Sequence, residues 1–114
     1  MNRNVWVYDI ETLKSCFTYT AINIDSEEIV KYVIHRERND YSELIEHLNE
    51  CKGQIGFNNL NFDYPIIHYM ISSFNRLNKQ PVEVIIDSIY SKAQEIINAQ
   101  EVYGNFYKTV AIRH

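Results

Sequence analysis

Val5-Trp6-Val7-Tyr8-Asp9-Ile10-Glu11 decides the reading of this chain. So dense a run of β-branched and aromatic residues predicts a strand buried on both faces. A strand alternates its side chains, so Asp9 and Glu11 share one side. An unpartnered carboxylate is costly to bury. The two acids therefore mark either a place where the strand meets solvent or a place where a cation offsets that cost. Asp-x-Glu tripeptides are common, and this one taken alone favours the hydrated reading.

Working outward, Phe17 to Ile24 and Ile29 to Ile34 are two further strand candidates, and Asp25-Ser26-Glu27-Glu28 is a polar connection suited to a hairpin. With the first run they make an antiparallel meander. Asp40-Tyr41-Ser42 supplies a helix cap, Leu44, Ile45 and Leu48 follow at helical spacing up to Cys51, and Gly53 ends that helix. Gln54 to Phe57 is a short apolar run that reads as a buried parallel strand. Phe62, Ile66, Ile67, Tyr69, Met70 and Phe74 give the next helix a broad apolar face, with Pro65 in its first turn and Asp63 at its N-terminus. His68 falls on that face and reads as a packed histidine. A second helix is expected from Val82 to about Val102, and Phe106 to Ile112 reads as a closing strand. The order β-β-β-α-β-α-α-β predicts an α/β fold: a mixed sheet of three antiparallel strands followed by parallel ones, flanked by helices.

Composition fits a single domain over residues 1–114. The chain is 46% hydrophobic and 13% aromatic, enough for one core at this length, and with Gly and Pro scarce it should fold. No apolar run approaches the roughly 18 residues of a membrane span, and the polar start Met1-Asn2-Arg3-Asn4 lacks the apolar centre of a signal peptide. The expected location is the cytoplasm of a cell or of an infected host. Cys16 and Cys51 are isolated and read as structural thiols. The net charge of -4 argues against nucleic-acid binding by bulk electrostatics. It does not exclude a metal-dependent nuclease, in which cations supply positive charge at the phosphate and acidic ligands lower the chain's formal total. Lys31, Arg36, Arg38, Lys52, Arg76 and Lys79 are dispersed along the sequence rather than gathered into a basic track.

A second motif changes the weight of the first. Gly56-Phe57-Asn58-Asn59-Leu60-Asn61-Phe62-Asp63-Tyr64-Pro65 leaves an expected strand and enters an expected helix. That puts Asp63 near the sheet edge where ligand sites of open α/β folds lie. Turn-forming asparagines and an Asp complementing a helix dipole account for the same residues without chemistry. The two motifs together, in this order and context, resemble the DEDD family of 3′-5′ exonucleases. Asp9-Ile10-Glu11 matches the family's Asp-x-Glu and Asn58 through Asp63 its Asn-x-x-x-Phe-Asp. The wording around them is most similar to the proofreading exonuclease domains of family B DNA polymerases and their phage relatives.

The resemblance covers roughly residues 4–75. It implies a ribonuclease H-like architecture, of which this chain is the N-terminal portion, and a site holding two divalent cations, Mg2+ or Mn2+. By that resemblance Asp9 bridges both ions, Glu11 holds the ion of the nucleophile, and Asp63 binds or orients the second. Asn58, Phe62 and Leu13 would position the terminal nucleotide of a single-stranded DNA 3′ end, although packing and turn formation explain these three equally well. The family's third motif, Tyr-x-x-x-Asp or His-x-x-x-x-Asp, is missing after Asp63, where Asp87 is the only aspartate. His35-Arg36-Glu37-Arg38-Asn39-Asp40 has the spacing, but it precedes the second motif and reads as a surface loop. Three expectations follow: a fragment of a longer exonuclease, a shortened homologue kept for binding, or a subunit completed by a partner or a second copy. The functional alternative is a non-catalytic module that binds a nucleotide, a nucleic acid or a host protein.

Overall fold

Alternation along β1 (Val5–Leu13) lays down the sheet. Trp6, Tyr8 and Ile10 are buried, whereas Val5 and Val7 are half-buried and Asp9 and Glu11 are exposed. The strand therefore has one buried face, not the two expected. The computed structural model describes residues 3–56 and 62–109, with side chains as far as Ala99. Its elements are β1, β2 (Cys16–Asn23), β3 (Ile29–His35), β4 (Arg38–Asn39), α1 (Tyr41–Glu50), β5 (Gly53–Gly56), α2 (Tyr64–Ser72), α3 (Phe74–Leu77) and α4 (Val82–Thr109).

The result is a mixed α/β fold with a five-stranded sheet in the order β4-β3-β2-β1-β5. The first four strands pair antiparallel in sequence, and β5 returns through α1 to lie parallel to β1. The expected meander and parallel return are both present. Tight local geometry holds the β2–β3 connection: the buried Asn23 accepts at Oδ1 from the amides of Asp25 (2.9 Å) and Ser26 (3.0 Å). Glu27 completes the turn with a positive φ of 63°, a conformation uncommon for a residue with a Cβ.

Among the described residues one core joins the inner face of the sheet to the helices. Tyr8, Phe17, Tyr19 and Ile34 meet Leu44 of α1, Ile66 and Met70 of α2, Leu77 of α3, and Ile85 and Ile89 of α4. Tyr41 anchors the layer, its hydroxyl donating to the Met70 carbonyl at 2.6 Å. The other face is open. Paired positions set Ile55, Val7, Ile22 and Ile29 in one row across four strands, with Ile55 and Ile29 55% and 68% exposed. No helix of the described residues is long and apolar enough to cross a membrane.

Several local expectations are corrected. Asp40 does cap the start of α1 in position, but its carboxylate bonds elsewhere, accepting from the Val33 amide (3.0 Å) and Arg38 Nε (2.6 Å). Gly53 opens β5 rather than ending α1, whose C-cap is Cys51. The long helix after Asp63 breaks at Ser73 into α2 and α3. His68 is exposed and stacks on Tyr64, and the packed histidine is His47 on α1. The expected closing strand is helical as far as Thr109, with 110–112 outside the described residues. Extending an existing helix costs far less than nucleating a new element, which outweighs the β-propensity of Phe106 and Tyr107.

Candidate metal centre

The two acids of the first motif lie where alternation puts them. Asp9, Glu11 and Leu13 share the open face of β1, and all three are exposed, Leu13 by 54%. Successive same-face positions on a strand are about 6.6 Å apart along the chain, close enough for two carboxylates to share one cation. Their cross-strand neighbours are Thr20 and Lys31 beside Asp9, and Thr18 and Val33 beside Glu11. Thr20 stands between Asp9 and Lys31, and among the described residues neither acid is within ion-pair distance of a Lys, Arg or His. The pair thus presents hard oxygen donors of like charge, the donor type that Mg2+ and Mn2+ prefer. In that respect Asp9 and Glu11 fit a divalent cation.

Beside the carboxylates the open face is apolar. Val7, Tyr8, Asp9, Thr20, Ala21, Ile22 and Ile29 line a shallow depression of about 470 Å³. Asp9 stands at the boundary between this apolar shelf and the more polar end of the sheet.

Asp63 lies on the other side. It immediately precedes α2, in a π-helical turn begun by Phe62, and is 3% exposed. Its carboxylate adds to burial in raising the pKa of the Tyr8 phenol, with burial the larger cause. Tyr8 faces the core, so Asp63 approaches β1 from the helix-covered face while Asp9 and Glu11 look out from the open one. Among the described residues no three His, Cys, Asp or Glu side chains gather as a metal-binding group. Asp9 and Glu11 share the exposed face of β1, whereas Asp63 is buried and acts on Tyr8, whose ring lies on the core face.

The remaining candidates divide similarly. Phe62 is half-buried and packs against the core, as a residue fixing the entry to α2 would. Leu13 projects beyond Glu11 on the face of the acids. Asn58 lies outside the described residues. The His35-to-Asp40 stretch is a strand end, a turn and the short β4, and the bonds of Asp40 to Val33 and Arg38 give its carboxylate a structural role. Cys16 and Cys51 are free and half-buried, and burial pushes the Cys51 thiol up to about 11.

Sequence reasoning passed over a second group. Lys14, Ser15, His35, Arg36, Glu83, Ile86 and Asp87 surround a cleft of about 370 Å³ at the end of the sheet toward which β1 runs. Only the pairing of Leu13 with Cys16 and of Cys16 with His35 brings the two turns together, and no sequence spacing announces it.

Comparison of the chain with known protein families, with curated proteins and with solved structures finds no match.

Proposed function

We propose that this chain is a ribonuclease H-like domain of the 3′-5′ exonuclease type, with Asp9 and Glu11 the carboxylates that hold a divalent cation against the terminal phosphodiester of single-stranded DNA. The observation that carries the reading is the exposed, same-face Asp9 and Glu11, on a strand whose other face is core, with no cationic side chain at ion-pair distance among the described residues. The topology supports it: an antiparallel meander, then a parallel strand beside β1, then a helix opening on Asp63. A divalent cation there would neutralise phosphate charge and lower the pKa of a bound water. Asp9 and Glu11 contribute its ligand oxygens. The apolar shelf of Val7, Ile22 and Ile29 offers nucleotide bases a surface, and Leu13 offers the terminal base a contact.

The position of Asp63 favours a second reading, a binding module that keeps the fold without turnover. Its carboxylate is buried on the helix side, and a two-cation site needs acids from several elements converging on one point. Incubating the chain with Mn2+ and 5′-labelled single-stranded DNA separates the two. Stepwise shortening from the 3′ end that Asp9→Ala abolishes supports the exonuclease. Intact DNA in the presence of folded protein supports the module.

A further inference from the structure

Three observations single out the cleft between the sheet end and α4. Its volume, about 370 Å³, falls within the roughly 300–1,000 Å³ typical of small-molecule sites. Its walls carry opposite charges that do not neutralise each other: among the described residues Lys14, Arg36, Glu83 and Asp87 form no ion pair. The Glu37 amide donates to His35 Nδ1 (3.2 Å), which leaves Nε2 as the ring's donor toward the cleft. One wall thus offers Lys14, His35 and Arg36 as donors. The facing wall offers Glu83 and Asp87, four residues apart on one side of α4, as acceptors, with Ile86 as an apolar contact between the walls.

We propose that this cleft binds a nucleotide: its phosphate on Lys14, Arg36 and His35 Nε2, its base over Ile86, and the amino group of that base donating to Glu83 or Asp87. The ligand class rests on the nuclease reading, because Lys14 lies three residues beyond Glu11 and the cleft continues the strand end that carries the acids. A phosphate alone would be repelled by the two glutamate and aspartate carboxylates. A nucleotide with an amino-bearing base uses both walls. Its source is either a free nucleoside monophosphate or a nucleotide of a DNA strand.

Fluorescence anisotropy in EDTA, with labelled oligodeoxycytidylate and oligothymidylate, tests the site without catalysis. The chain should bind the cytosine strand more tightly, since thymine has no amino group. Lys14→Ala with Arg36→Ala should weaken binding at least about tenfold, and Glu83→Ala with Asp87→Ala should erase the preference for cytosine. Competition by deoxycytidine monophosphate assigns the site to a free nucleotide, and competition by unlabelled oligonucleotide alone assigns it to a strand. The four substituted residues are exposed, so the variants should fold. Unchanged affinity in the Lys14/Arg36 variant, or no binding by the native chain, overturns the proposal. Cleft binding is read in EDTA and strand shortening in Mn2+, so failure of the cleft and failure of the catalytic reading give different results.

Discussion

Tyr8 and Asp9 are neighbours in sequence and face opposite sides of the sheet: the Tyr8 ring is 2% exposed beneath the helices, and Asp9 stands on the open face. This one-residue alternation assigns the two motifs to different environments. Asp63 reaches toward Tyr8, while Asp9 and Glu11 meet solvent. Because both acids are exposed, their substitution should change stability by no more than about 0.5 kcal/mol, and loss of function can be read without loss of fold.

Gly56 pairs with Tyr8, and a Cβ there would come within 2.9 Å of the Tyr8 ring. That ring is wedged in the core, so it cannot withdraw cheaply. Gly56→Ala should destabilise the chain by roughly 1–3 kcal/mol, measured as a lowered urea midpoint.

The Tyr41 hydroxyl joins α1 to α2 through the Met70 carbonyl. Tyr41→Phe keeps the ring packed edge-on against Phe74 and removes only the hydrogen bond. The expected loss is about 1–2 kcal/mol, read by chemical denaturation, with the far-ultraviolet circular dichroism spectrum unchanged.

His47 predicts a pH dependence. It packs among Trp6, Tyr19 and Tyr32, and its Nε2 lies 3.1 Å from the Tyr19 hydroxyl. Gln54 donates to that hydroxyl (3.0 Å), leaving the hydroxyl proton for the imidazole. Burial lowers the His47 pKa from its ordinary 6.5, and Glu28 opposes the shift more weakly. The folded state therefore binds its proton less readily than the unfolded state. The stabilisation is complete above about pH 6.5 and is lost as pH falls through the lower folded value. A urea midpoint that falls below pH 6.5 in the native chain, and falls less in His47→Gln, is the expected result.

How much of this was legible in the sequence varies by element. The meander, the return to a parallel strand and the helix that starts at Val82 follow from periodicity, which reports burial directly. The doubly buried β1 was misread because Val5 and Val7 look like core while lying on the open face with Asp9. β4, at two residues, is too short to carry a pattern. Proximity in the motifs was legible only in part: Asp9 and Glu11 meet because strand alternation is local. The relation of Asp63 to them depends on how α2 packs, and the cleft of Lys14, Arg36 and Asp87 depends on register between strands.

The most direct test is Mn2+ binding followed by electron paramagnetic resonance, in which bound ion loses the sharp signal of free Mn2+. The account predicts that the native chain takes up Mn2+ and that Asp9→Asn and Glu11→Gln each weaken uptake about tenfold or more without lowering thermal stability. Equal uptake by native and variant chains, or none by a folded native chain, would contradict a cation site on these two carboxylates.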